Sequence, residues 1–249
     1  MVADAPRCPY CGVVLAKMPA QRTRCKECGS FMLVRTSPSS RARVLVTAKR
    51  AEELEREWAE QRTLHDAEAR WGDRFAEERA ALSRRFGKPA GTNDVIWSLL
   101  NQELVQHAQL NDWGHYRNTK LKMAEVLGSE NRASQALNTY LEICYFDLNG
   151  PNNRSVPVNS ELLRAYPAFD PVSAFLAPGV LTMVLDLASG LGYTIEDIER
   201  VFVEAAGRAR MPRLMPMAPD VAWRQLRTQL LSTKEPSGSA RPRQRPNGV

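Results

Sequence analysis

Cys8-Pro9-Tyr10-Cys11-Gly12 and Cys25-Lys26-Glu27-Cys28-Gly29 are two Cys-x-x-Cys pairs separated by thirteen residues. Each pair can turn as a tight knuckle that presents two sulfurs, and a hairpin across the intervening residues brings the pairs together around one tetrahedral ion. The glycine after each second cysteine lets backbone approach the thiolates. Four sulfurs fill the coordination sphere, so the site has no open position and is expected to be structural rather than catalytic. Zinc is the expected ion, and iron in the same four-sulfur geometry is the leading alternative.

A second chemistry follows from charge. The net +6 is unevenly spread: residues 1–43 carry +6, residues 234–249 carry +3, and the stretch between them carries −3. Four thiolates around a divalent ion bring a formal charge of about −2, which leaves the N-terminal module at roughly +4 and attractive to a polyanion. Arg22, Arg24, Lys26 and Arg35 lie on or beside the folded knuckles and are the candidates for phosphate contacts to DNA or RNA. Tyr10 and Phe31 are the aromatic platforms available beside them. A basic surface that serves only solubility is the competing explanation.

Residues 6–36 resemble the zinc ribbon and rubredoxin-like knuckle family. The resemblance implies a protein that handles nucleic acid or assembles on other proteins. Cys-Pro-Tyr-Cys also matches the redox motif of glutaredoxins. A thioredoxin-like fold needs a strand before the motif and a helix after it, whereas seven residues precede Cys8 and a glycine with β-branched residues follows Cys11.

Short local elements are expected to hold this module. Val13–Leu15, Arg22–Arg24 and Phe31–Val34 form a three-stranded ribbon closed by metal. A unit of fewer than ~40 residues has too little core to fold alone, so the ion supplies much of its stability. Residues 37–43 are a polar hinge, and Val44–Val46 is a short strand or the lead-in to a helix. From an N-cap at Thr47 to Phe86 there is no proline and only Gly72 interrupts, which predicts one long helix or two end to end, approaching ~60 Å. Leu54, Trp58, Leu64, Trp71, Phe75, Leu82 and Phe86 line one stripe, to be covered by this chain or by a second copy in a coiled coil.

Helices are then expected from Thr92 or Asn93 to about Leu110, over 116–127 and over 132–148, followed by a loop at 149–159 and a short helix capped by Ser160. Another helix begins at Asp170-Pro171, an apolar helix covers 178–189, and a capping box at Thr194 and Asp197 starts a helix through Ala209. A proline-punctuated link at 211–219 leads to a last amphipathic helix, and a disordered basic tail runs from 233. The fold class is mainly α: a small N-terminal β zinc ribbon, a long helix and an irregular all-helical domain. The expected divisions are residues 1–43, 44–91, 92–232 and 233–249.

Met123-Ala124-x-x-Leu127 with Ala136-x-x-x-Tyr140, Ile143 and Asp147-Leu148-Asn149-Gly150-Pro151 resembles one tetratricopeptide-type helical hairpin. Lys120 replaces that family's large aromatic residue, and no second copy follows at its period. As a whole, the ribbon, the Val-Arg-Thr segment at 34–36 and the Asp-Val-Ile-Trp-Ser-Leu-Leu-Asn-Gln helix resemble uncharacterised zinc-ribbon proteins of phages and prophages.

No HExxH, GxSxG or P-loop pattern occurs, so a non-enzymatic adaptor is expected. Its three histidines are His65, His107 and His115, and Glu103, His107 and Asp112 fall where a solvated helix face explains them. Cys144 sits in an apolar run and is expected to be a buried thiol. With no run of about 18 apolar residues and no apolar leader, the expected location is the cytoplasm, away from membrane. The expected partners are DNA or RNA, or a protein partner or second copy held through the 47–86 helix.

Overall fold

A computed structural model of the chain describes residues 5–153, 167–209 and 214–234. Among them the protein is mostly helical, with one three-stranded antiparallel sheet near the N-terminus. It divides into two units, Met1–Ile96 and Trp97–Val249.

In the first unit the strands are β1 (Thr23–Arg24), β2 (Phe31–Thr36) and β3 (Arg43–Val46), in that order across the sheet. The third strand is therefore Arg43–Val46 rather than the expected Val13–Leu15. Val14 makes only a single bridge with Arg7, and the Leu15 N–H donates to the Pro6 carbonyl at 2.7 Å, which closes the first knuckle on itself. The polar hinge is a hairpin turn: the Ser37 N–H donates to the Ala42 carbonyl, the Arg41 N–H to the Ser37 carbonyl, and Arg41 takes a left-handed φ of 58°.

Helix α1 (Ala48–Trp71) starts at Thr47, whose side chain accepts the Arg50 N–H. Gly72, at φ 53°, separates it from α2 (Asp73–Phe86), so the 47–86 stretch is two helices.

Strand alternation splits the β2–β3 hairpin into two working faces. Met32 and Leu45 point toward Cys8 and Cys25. Leu33, Val44 and Val46 pack instead with Ala51 and Leu54 of α1. The indole N–H of Trp58 donates to the Thr36 carbonyl at 2.8 Å, and the Arg41 guanidinium lies 4.5 Å above its ring. Phe75 is 1% exposed. Trp58 and Phe75 of the expected stripe are thus occupied within this chain.

Helix α3 (Thr92–Gln109) crosses the boundary between the units. The second unit continues with α4 (Trp113–Ser129), α5 (Ala133–Asn149), a 3-10 turn (Pro171–Ser173), α6 (Pro178–Gly190), α7 (Ile195–Arg208) and α8 (Pro219–Lys234). Helix α5 is its axis, packed against α4, α6, α7 and α8. It is buried all round from Ile143 to Asn149, including the polar residues Asp147 and Asn149. Ala124 of α4 and Ala136 of α5, both fully buried, are the small residues of the expected hairpin.

Asn149, also fully buried, donates from Nδ2 to the Tyr145 carbonyl and accepts the Met217 N–H at Oδ1, both at 2.8 Å. The Tyr145 hydroxyl donates to the Met217 carbonyl. These bonds satisfy the polar atoms that burial would otherwise leave costly.

At the start of α7 the expected capping box is present: the Thr194 hydroxyl accepts the Asp197 N–H, and the Thr194 N–H donates to the Asp197 carboxylate. The Thr194 backbone N–H and hydroxyl hold the Asp197 carboxyl below its ordinary value. A depressed folded-state pKa stabilises the fold above the ordinary carboxylate value and loses that effect as pH falls through the depressed one. Asp197→Asn is expected to melt below the wild type at pH 7, and the gap should close on acidification below pH ~4. Thermal melts at both pH values check this, and a gap unchanged by pH would remove the carboxylate's role.

Among the described residues no single helix is long and apolar enough to cross a membrane. Helices α6 and α7 reach that length only together, across a 118° bend, and both contribute to the core through Val184 and Phe202. The short helix expected at Ser160, the start of the link at 211–213 and the tail from 235 lie outside the described residues.

Candidate metal centre

Both cysteine knuckles are built alike. In the first, the Cys8 N–H donates to the Val13 carbonyl and the Gly12 N–H to the Cys8 carbonyl, each at 2.9 Å. In the second, the Cys25 N–H donates to the Ser30 carbonyl and the Gly29 N–H to the Cys25 carbonyl, at 2.9 and 3.0 Å. Gly12 and Gly29 take left-handed φ values of 76° and 71°, while a Cβ at either would meet nothing within 4 Å. Glycine is therefore required by backbone conformation and not, as the sequence suggested, by crowding at the sulfurs.

All four Sγ atoms lie within 4.8 Å of one another. Cys8 and Cys28 are 3.8 Å apart, as are Cys11 and Cys25. Sulfurs held ~2.3 Å from a central ion in a tetrahedron are about 3.8 Å from each other. The four are free thiols, two buried and two exposed. Donor type, number and spacing thus fit one four-sulfur metal ion.

Their electrostatics point the same way. Burial works against the Cys8 thiolate, but the Cys11 and Tyr10 backbone N–H groups outweigh it and pull the thiol down. The Ser30 hydroxyl and N–H pull Cys28 down to about 6. Cys11, despite a backbone bond from Val13, is pushed up to about 12 by burial and by the three neighbouring sulfurs. Four thiolates at this spacing repel one another, and a cation at their centre removes the conflict.

The four basic candidates do not form one set. Arg24 pairs with Phe31 across the β1–β2 ladder, and Arg22, two residues earlier, shares that face. Both guanidiniums lie over the Phe31 ring, at 4.2 and 4.6 Å from its centre, and the ring is 44% exposed. Lys26 is exposed on the second knuckle. Among the described residues no carboxylate pairs with these three cations. Arg35 is committed elsewhere: its guanidinium grips Glu55 of α1 at 3.0 Å and donates to the Val34 carbonyl. Arg43, which the charge pattern also counted, donates to the Pro19 and Ala20 carbonyls.

In the second unit, Asp112 caps α4 and accepts from the His115 ring at 2.8 Å, with His107 Nδ1 3.8 Å from its other oxygen. The two imidazoles stack 5.4 Å apart. Asp112 is buried between the two rings, which corrects the sequence reading of His107 and Asp112 as part of a solvated helix face. That reading also missed His115, although its position three residues after an N-cap aspartate is the signal that finds it. Nearly parallel rings do not converge their lone pairs on one point, so this cluster is a capped corner and not a second metal centre. Cys144 is fully buried, and burial pushes its thiol above the ordinary range.

Comparison with family models, with curated proteins and with solved structures finds no match for this chain, the phage and prophage likeness included.

Proposed function

We propose that this protein is a non-enzymatic zinc-ribbon adaptor that binds nucleic acid through its N-terminal module. The supporting observation is the pair Arg22 and Arg24, stacked on one exposed ring without a carboxylate partner among the described residues. A guanidinium stacked on a ring keeps its N–H edge free, and that edge matches phosphate oxygens. Lys26, one residue beyond the first ligand of the second knuckle, adds a third cation to the same end of the sheet. The zinc would be structural, fixing the knuckle that carries it.

Arg35 is a poor probe of this reading because its loss would also free Glu55 and loosen α1. The informative variant is Arg22→Ala/Arg24→Ala in the full, metal-loaded chain. Its affinity for a mixed DNA and RNA pool should fall, and the slope of log affinity against log salt should drop by about 1.4 for single strands, or about 1.8 for duplex, if each guanidinium neutralises one phosphate. Affinity and slope equal to those of the wild type would remove the nucleic-acid reading and leave the ribbon as a folding staple or protein contact.

A further inference from the structure

The open end of the ribbon also favours one class of nucleic acid, and this deduction rests on the nucleic-acid reading above. Phe31, Leu33 and Arg35 alternate along one face of β2. Helix α1 covers that face at Leu33 and clasps it at Arg35. The cover stops short of Phe31, a ring 44% exposed that an apolar core would otherwise take. What surrounds the ring is charge: Arg22 and Arg24 both lie over it, two cations held close together with no carboxylate between them among the described residues. Their mutual repulsion is relieved by an anion, and the ring supplies a π-face next to that anion.

A ligand that presents negative charge and flat π-surfaces side by side, both accessible, is a single strand. A duplex offers phosphates but keeps its base faces stacked inside. Two guanidiniums beside one ring can reach the phosphates on either side of a base that stacks there. We infer that the ribbon binds single-stranded nucleic acid, with an unpaired base stacked on Phe31 and the flanking phosphates on Arg22 and Arg24. On binding, a guanidinium leaves the ring face for phosphate and a base takes its place.

The test uses the full metal-loaded chain with a mixed-sequence DNA oligonucleotide, its RNA counterpart and the corresponding duplexes, titrated by fluorescence anisotropy at two salt concentrations. Phe31→Leu keeps an apolar side chain and removes the π-face; Phe31→Trp keeps the face; metal content is measured for both. We expect the single strands to bind at least tenfold more tightly than the duplexes. Phe31→Leu should lose on the order of tenfold on single strands with the salt slope unchanged, because no phosphate contact is lost, and Phe31→Trp should retain wild-type affinity.

If Phe31→Leu binds single strands as the wild type does, or if duplexes bind equally well, the stacked-base inference falls while arginine-dependent, salt-sensitive binding stands. If neither strand form binds, both fall.

Discussion

Removing the metal is expected to unfold the ribbon and leave the helical unit folded. The reason lies in how little else holds the N-terminal residues. Among the described residues, those buried around the sulfurs are Cys8, Cys25 and Met32, with Val13, Leu15 and Leu45 partly so. The second small core, Val46, Ala51 and Leu54, depends on β3 staying paired with β2. Neither cluster can offset the conformational entropy of ordering some forty residues, at roughly 1–2 kcal/mol each. A four-sulfur zinc site contributes on the order of 10–16 kcal/mol in comparable small modules, more than either apolar cluster can supply.

A chelator added to the full chain, or Cys25→Ser at the most buried ligand, should therefore strip amide protection from residues 7–46. The fraying should extend into the first turns of α1, where Ala51 and Leu54 lose their partners. Amides of α5 should stay protected, because that core is built from side chains alone. Hydrogen exchange read by mass spectrometry resolves the two regions. Protection of β2 and β3 that survives complete metal removal would sink the idea. Elemental analysis of the same sample decides between zinc and iron, which share this geometry.

The cysteine pattern was fully legible because a metal site is specified by ligand type and local spacing, both of which are written in sequence. The helices of the second unit were legible for a similar reason: their caps are local, as at Thr194 and Asp197, and the apolar run through α5 admits only a buried helix. Two features were not. Val44–Val46 is too short a run for its period to separate a strand from the approach to a helix, and only its pairing with Leu33–Arg35 settles it. Charge counting was equally blind to partners. It treated Arg35 as equivalent to Arg22 and Arg24, yet Glu55, twenty residues away, makes Arg35 part of the scaffold and leaves the other two at work on Phe31. Tertiary pairing, which sequence does not display, sorts a basic segment into structural and available cations.

Arg117→Met is expected to destabilise the helical unit strongly. Arg117 on α4 meets Asp147 on α5 with two parallel bonds, Nε to Oδ1 and a terminal nitrogen to Oδ2, each 2.6 Å. The side chains are 12% and 6% exposed, so both charges have left water. Burial pushes the Asp147 carboxyl above its ordinary value, and the guanidinium pulls against that rise. With methionine at 117 the carboxylate stays buried without its counter-ion, which costs about 3–5 kcal/mol at pH 7.

Acid should soften that loss. A carboxyl whose folded pKa lies above its unfolded one costs stability at neutral pH, and the cost disappears as pH falls through the raised value toward the unfolded one near ~3.9. Removing Arg117 raises the folded value further, so the gap between variant and wild type should narrow on acidification. Arg117→Met/Asp147→Leu, which removes both charges and refills the space, should recover most of the loss. Urea denaturation followed by helical circular dichroism measures all three. A single variant within ~1 kcal/mol of wild type, or a double variant no better than the single, would mean that the pair is not what joins α4 to α5, and that the apolar contact through Ala124 and Ala136 carries the hairpin alone.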